Sequence, residues 1–404
     1  MISALSNGLR VAIAPRPDAA LTALKLFIKV GSRHDGARPG LTHLIEHLML
    51  DRPSRSRPVA EEVEALGGEI NAVTHREYTA LQAVVLAREA RHVLGIFRDL
   101  LHPLEPAPEG IDRERHVILR EMEHAADTQS AAWDLFLQAL WGEDAFTRPI
   151  YGDPRVIRSV TPGELGAHFS RYPAPERMVL AVAGPVVPED ILAASEGTLG
   201  ELAGAPWEDA FSRPPGSPRR RRLVKDTAVV HLIVGVEGVP LPDPRRPAVK
   251  VLDMVLGQGT TSRLHRILRG QWGLVYDVAT AAMAFEDRGY LCAYTSCAPS
   301  HATRVFEVVL EEFTRLAREP IDEAELESAR MRYEGLLARR FETVLSTAGI
   351  IGIEELLRCS ESFERAITRL RQVGADDVQR TAAELVDLDR IAVAVVGPAG
   401  ALAA

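Results

Sequence analysis

Residues 160–186 of this 404-residue chain read VTPGELGAHFSRYPAPERMVLAVAGPV, and a similar pattern returns at residues 373–399 as VGADDVQRTAAELVDLDRIAVAVVGPA. The two stretches align without a gap at an offset of 213 residues, and Gly184-Pro185 matches Gly397-Pro398. Each combines the pattern of an amphipathic helix with a continuous apolar strand that ends at Gly-Pro. Because one copy lies near the end of each half of the chain, we infer that the chain is built from two similar halves.

The beginning of each half supports the same duplication. GLRVAIAP (8–15) and TALKLFIKVGS (22–32) open the first half as two strands, and RRLVKD (221–226) and AVVHLIVGVEGV (228–239) open the second half in the same order. Strands come in a few pairs, whereas helices are long and numerous. We therefore predict an α+β fold of two homologous domains, each a mostly antiparallel sheet packed with helices.

A segment without periodicity separates the two halves. APWEDAFSRPPGSPRRRR (205–222) is rich in Pro, Gly and Arg, so we assign it as a linker between an N-terminal domain at 1–204 and a C-terminal domain at 223–404. The four arginines at 219–222 could bind an anion. A solvated cluster of linker charges is the preferred interpretation.

Composition excludes several classes of protein. The 47 basic and 56 acidic residues give a net charge of -9, which argues against nucleic acid as a partner. Charged residues interrupt every apolar run before the roughly 18 residues that a membrane span requires. Residues 1–17 lack a basic region followed by an apolar stretch, so we expect no secretory signal. The three cysteines, Cys292, Cys297 and Cys359, fit reduced thiols in a cytoplasmic protein, the first two buried in a strand.

The segment GLTHLIEHLML (40–50) contains the residues best suited to chemistry. In a helix, His43 and His47 lie on one face a single turn apart, where both imidazoles can bind one metal ion. Glu46 lies between them in sequence and can reach a water molecule on that metal. The pattern H-x-x-E-H is the inverted form of the H-E-x-x-H zinc-protease motif. The alternative is a partly exposed helix with two incidental histidines.

A catalytic zinc needs a third protein ligand, and DRERHVILREMEHAAD (112–127) offers candidates. Glu114 and Glu121 are seven residues apart and share a helix face, whereas Glu123 and His124 point elsewhere. One acid as ligand and the other as its hydrogen-bonded support would account for both. A charged stripe that faces solvent is the alternative.

Taken together, these segments resemble the pitrilysin/insulinase (M16) family of zinc metallopeptidases, and most of all its short-chain subfamily, which includes mitochondrial processing peptidase. Besides the H-x-x-E-H segment, the resemblance is carried in order by VGSRHDGARPGLTH (30–43), GGEINAVTHREYT (67–79), ERHVILREM (114–122) and SRLHRILRGQWGLVYDV (262–278). It extends over essentially the whole chain.

The resemblance implies a metal centre with one Zn²⁺ per chain. His43, His47 and Glu121 would bind the zinc. Glu46 would be the general base that takes a proton from the attacking water, and Glu114 would be a supporting acid on the ligand helix.

The resemblance also implies how a substrate is bound. Asn71 and Ala72 would lie on an edge strand that binds a peptide in extended conformation. Arg269 and Tyr276 would contact the substrate backbone or the transition state from the opposite half of an enclosure. Members of the family form a clam-shell chamber, of which a chain of this length supplies one half. A homodimer could complete two sites, and a heterodimer with a related M16 chain stays open.

We therefore predict a zinc-dependent endopeptidase that hydrolyses peptides or unfolded or leader segments within a dimer chamber. The alternative is a non-catalytic structural or partner subunit of a heterodimeric M16 complex. Such subunits typically lose metal ligands, whereas this chain retains His43, His47 and Glu121. The sequence does not separate general peptide degradation from the processing of one leader peptide.

Overall fold

The structure is a computed structural model that describes residues 1–54, 57–104, 106–125, 128–204, 207, 209, 211, 219–359 and 363–401. Within these residues the strands are β1 (Ile2–Ala4), β2 (Arg10–Pro15), β3 (Leu21–Ile28), β4 (Pro53–Ser54), β5 (Arg57–Pro58), β6 (Glu69–Thr74), β7 (Thr79–Leu86), β8 (Met178–Gly184), β9 (Arg220–Val224), β10 (Val230–Glu237), β11 (Val275–Ala284), β12 (Gly289–Cys297) and β13 (Ala392–Gly397). The α-helices are α1 (Leu41–Leu50), α2 (Val59–Ala65), α3 (Ala90–Leu100), α4 (Pro108–Ala125), α5 (Thr128–Trp141), α6 (Pro154–Ser159), α7 (Pro162–Phe169), α8 (Pro188–Glu196), α9 (Arg246–Leu256), α10 (Ala302–Arg318), α11 (Glu323–Arg340), α12 (Val344–Leu356), α13 (Phe363–Gln372) and α14 (Ala375–Leu385).

The first compact unit contains residues 1–124, 148–212 and 339–360. Its main sheet has the strand order β1-β2-β8-β3-β7-β6, in which β2 and β8 run parallel and the other neighbours are antiparallel. One face of this sheet packs on a core that includes Leu26, Leu44 and Phe97. The other face is covered by α12, where Phe27 and Ala348 are buried together. The sheet is therefore enclosed on both faces.

The second unit contains residues 125–147, 213–338 and 361–404. Its sheet has the order β11-β12-β10-β13-β9, and β13 and β9 form its parallel pair. A core that includes Val234, Leu252 and Phe313 lies on one face. On the other face, α5 buries Phe136 against Tyr290. This unit also has helices on both sides of one sheet.

The two sheets repeat one topology. The order β2-β8-β3-β7-β6 in the first unit corresponds to β9-β13-β10-β12-β11 in the second, with the parallel pair at the same place. Strands β8 and β13 are the apolar runs that the repeat at an offset of 213 residues predicted. The predicted fold of two homologous α+β domains is therefore confirmed.

The compact units differ from the predicted continuous domains at 1–204 and 223–404. Residues 125–147 belong to the second unit and residues 339–360 to the first, because the apolar helices α5 and α12 cover sheet faces there. The predicted linker also ends earlier than residue 222. Arg220 begins β9, whose backbone pairs with β13 while its side chains alternate between exposed and half-buried. Most of the remaining linker prediction, including 212–218, lies outside the described residues.

Other local predictions agree with the structure. Helices α10 and α11, of 17 and 18 residues, agree with the expectation of long helices. Cys292 and Cys297 are buried in β12, Cys359 is half-buried, and none of the three is in a disulfide bond. Over the described part of the chain, no helix combines the length and the apolar character needed to cross a membrane.

Candidate metal centre

Helix α1 carries the H-x-x-E-H segment and begins with a cap supplied from outside the helix. Gly40, at the N-cap, has a φ of 102° and no side chain to bind the free amides. The Asp35 carboxylate instead accepts hydrogen bonds from the amides of Gly40 at 2.7 Å and Thr42 at 2.9 Å. Burial raises the pKa of Asp35 to about 7, although the bonds from Thr42 and Gly40 oppose this. Leu44, Ile45 and Leu48 pack in the core, so the candidate metal ligands His43 and His47 lie on a helix that is held by the core.

The structure brings His43, His47 and Glu121 together. One ligand atom of each lies within 4.8 Å of the others. Glu121 Oε2 is 3.7 Å from His43 Nε2 and 3.5 Å from His47 Nε2. Ligands bonded to zinc at about 2.1 Å in a tetrahedron are roughly 3.4 Å apart, so this spacing suits the ion.

The polar atoms at this cluster also fit a metal. Glu121 Oε2 is buried and has no hydrogen-bond partner among the described residues, although the side chain as a whole is 38% exposed. A buried charged oxygen without a partner is costly, and a bound cation removes that cost. Burial, together with His47, lowers the pKa of His43 to about 3, which keeps its imidazole neutral as metal binding requires. Two imidazoles and one carboxylate are a donor set that zinc favours.

Helix α4 carries both acidic residues, Glu114 and Glu121. Glu114 Oε2 lies 3.1 Å from His47 Nδ1, and Arg113 donates to the other oxygen of Glu114 at 3.2 Å. This contact orients the His47 ring, with Nε2 directed toward Glu121. Glu123 and His124 are exposed on the same helix.

Glu46 lies beside the cluster and is 9% exposed. Burial raises the pKa of its carboxyl group, and a hydrogen bond from the Thr74 hydroxyl to Oε2 opposes that rise. Thr74 is the last residue of β6, so the sheet positions the proposed base. A buried carboxylate held in this way is suited to exchange protons with a nearby water molecule.

Asn71 and Ala72 lie on β6, at the edge of the six-stranded sheet. On one side β6 pairs with β7, with Asn71 opposite Gln82. Asn71 is exposed and Ala72 is buried. Strand β6 therefore carries Asn71 and Ala72 and ends at Thr74, which donates a hydrogen bond to Glu46.

Arg269 and Tyr276 belong to the second unit, whereas the cluster of His43, His47 and Glu121 belongs to the first. Arg269 lies in a π-helical segment, His265–Gln271, and Tyr276 lies on β11 at the edge of its sheet. The guanidinium carbon of Arg269 is 5.3 Å from the centre of the Tyr276 ring. Tyr276 is 84% exposed, so its hydroxyl can reach a bound molecule.

Three residues that support the site were not singled out from the sequence: Asp35, which caps α1, Thr74, which contacts Glu46, and Tyr151, which contacts His43. The first two lie inside segments that carry the family resemblance, which was the available signal. Tyr151 lies in no such segment, and its ring meets the His43 ring at a centroid distance of 5.1 Å.

Comparisons with known proteins cover both halves of the chain. The family model described as "Insulinase (Peptidase family M16)" matches residues 10–154, and "Peptidase M16 inactive domain" matches residues 159–333. An uncharacterized zinc protease of Mycobacterium bovis is 32% identical over 408 residues, which cover 98% of this chain and 92% of the relative. An uncharacterized zinc protease of Bacillus subtilis is 27% identical over 98% of this chain and 97% of its own length.

A solved structure shows the same fold. A peptidase M16 inactive domain from Pseudomonas fluorescens superposes with a TM-score of 0.91 at 17% identity, over 100% of this chain and 99% of that one. At this level of identity the likeness describes the fold alone.

Proposed function

The chain belongs to the M16 family of peptidases, and on that premise we propose that it is a zinc-dependent endopeptidase that hydrolyses peptides or unfolded or leader segments. The observation that carries the proposal is the Glu121 carboxylate oxygen, which lies 3.7 Å and 3.5 Å from two imidazole nitrogens without a hydrogen-bond partner among the described residues. Glu46, a buried carboxylate, lies beside them.

His43, His47 and Glu121 would hold the zinc ion in this proposal. When bound, zinc would supply Lewis acidity, which would make water a better nucleophile at neutral pH and would polarise a peptide carbonyl. Glu46 accepts the proton of the attacking water and returns it to the leaving amine. Thr74 holds Glu46 in place for both transfers, and Glu114 holds the His47 ring.

Substrate binding rests on the sheet edge. An extended peptide that adds to β6 beside Asn71 and Ala72 forms main-chain hydrogen bonds, so varied sequences are accepted and folded proteins are not. Arg269 and the Tyr276 hydroxyl are donors suited to a peptide carbonyl or an oxyanion. A homodimer, or a heterodimer with a related M16 chain, encloses the site in a chamber, and the protein acts in the cytoplasm.

Glu46→Gln tests the enzyme and its base together. We expect the variant to retain zinc and to lose about 100-fold or more in kcat on an unstructured fluorogenic peptide, because the amide cannot accept a proton. Glu123→Gln makes the same chemical change at an exposed position of α4 and keeps native activity. Zinc content and hydrolysis are measured for the three proteins.

Two results oppose the proposal. A native protein that holds zinc but cleaves no peptide, alone or with a related M16 chain, is not an endopeptidase, and the partner-subunit alternative then replaces it. A Glu46→Gln variant as active as the native protein removes Glu46 from the base role.

A further inference from the structure

The two metal-binding imidazoles are held in different ways. His47 Nδ1 lies 3.1 Å from the Glu114 carboxylate, which fixes the ring through a hydrogen bond. His43 Nδ1 is buried and has no hydrogen-bond partner among the described residues. Because histidines that bind metals are usually oriented by a hydrogen bond at the outer nitrogen, the orientation of His43 must depend on packing.

Tyr151 supplies that packing. Its ring is nearly perpendicular to the His43 ring, with an interplanar angle of 89° and centroids 5.1 Å apart. The His43 ring also contacts the His47 ring, with ring centroids 4.7 Å apart. His43 is therefore in contact with two rings.

We propose that Tyr151 is a positioning residue of the metal centre and that its ring keeps His43 Nε2 directed at the ion. This inference rests on the proposed zinc site. Tyr151 acts through His43 and is not itself a ligand. The aromatic ring carries this role, and the hydroxyl group does not.

The backbone holds Tyr151 firmly against the start of α1. A turn closes where the Gly152 amide donates to Pro149 O at 3.0 Å, and the Asp153 amide donates to Pro39 O at 3.3 Å. Gly152 has a φ of +90°, and a Cβ atom there would lie 2.2 Å from Pro39 O. This close approach attaches the turn that carries Tyr151 to the residues that lead into α1, the helix that carries His43.

The strength of the contact sets the expected effect. A perpendicular aromatic pair contributes enough to change a binding constant two- to ten-fold. Removal of the ring frees the His43 imidazole to rotate, and zinc then leaves more quickly.

Tyr151→Leu tests the ring, and Tyr151→Phe is its matched control because it keeps the ring without the hydroxyl. We expect Tyr151→Leu to release zinc to an excess of chelator two to ten times faster than the native protein. Its Co²⁺-substituted form is expected to show shifted d–d absorption bands, and its kcat to fall while KM stays near native. Tyr151→Phe behaves as native in each measurement. Tyr151→Met replaces Tyr151→Leu if the leucine variant does not fold without metal.

Three outcomes overturn the inference. The first is a native zinc-release rate and cobalt spectrum in Tyr151→Leu or Tyr151→Met. The second is an equal loss in Tyr151→Phe, which would assign the effect to the hydroxyl. The third is a native protein that binds no zinc, which ends the proposed function as well. If the native protein binds zinc but does not cleave peptides, only the proposed activity is excluded. The zinc-release measurement still tests the role of Tyr151.

Discussion

At the scale of single residues, the proposed base depends on one hydroxyl group. The Thr74 hydroxyl donates to Glu46 Oε2, and both side chains are buried. We expect Thr74→Val to lower kcat on an unstructured peptide by about ten- to a hundred-fold, since a hydrogen bond to a charged group contributes about 1.5–3 kcal/mol, and to leave KM nearly unchanged.

Two matched variants separate the hydroxyl from the packing of β6. Thr74→Ser retains the donor and is expected to keep most of the activity. Thr79→Val makes the same change at the paired position on β7, where the hydroxyl donates to Val30 O instead of Glu46. If Thr79→Val loses as much kcat as Thr74→Val, the effect comes from the strand and not from the base.

The site could be predicted only where its geometry is local. His43, Glu46 and His47 share one helical turn, so spacing alone brings them together. Glu121 was one of several acids on α4, and the family resemblance was needed to choose it. Tyr151 reaches His43 through a turn that includes Gly152 and packs on Pro39 and Gly40, a long-range contact that no periodicity encodes.

At the scale of elements, α12 packs so closely on the first sheet that one helix position excludes a side chain. A Cβ atom at Gly352 would lie 2.2 Å from Phe27 Cε2 and 2.8 Å from Ala181 Cβ. We expect Gly352→Ala to destabilise the metal-free protein by about 1–3 kcal/mol because the helix must move away from β3. Thermal unfolding followed by circular dichroism measures the change.

Gly349→Ala is the control within the same helix. A Cβ atom there meets only Lys25 Nζ, at 3.9 Å. Because alanine favours helix over glycine, this variant is expected to gain up to about 1 kcal/mol. Equal stability of the two variants would contradict the close packing of α12 on Phe27.

The same helix shows where prediction of the fold stopped. Strands β8 and β13 follow from continuous apolar runs, and amphipathic helices such as α10 follow from their 3.6-residue period. The sequence indicates that α5 and α12 are apolar helices, but it does not indicate which sheet each helix covers. Their assignment depends on contacts between residues that are far apart in the sequence, such as that between Phe136 and Tyr290.

At the scale of the whole molecule, each unit takes one covering helix from outside its own half of the chain. Residues 339–360, which contain α12, complete the first unit, and residues 125–147, which contain α5, complete the second. Neither half of the sequence therefore contains all the residues that bury its sheet. This division predicts that the halves depend on each other to fold.

A chain of residues 1–204 tests this dependence. Without α12, the sheet face that carries Phe27, Val179 and Ala181 is open to water, and apolar surface of this kind promotes association. We expect this fragment to aggregate or to bind the dye ANS, which fluoresces on exposed apolar surface. As a control for the break in the chain, the fragment 1–204 is produced together with residues 205–404 as a separate chain. Because α12 is then present, we expect the two fragments to form a soluble complex. A fragment of 1–204 that is monomeric, dye-free and unfolds cooperatively at the temperature of the complex would show that the first sheet is stable without α12.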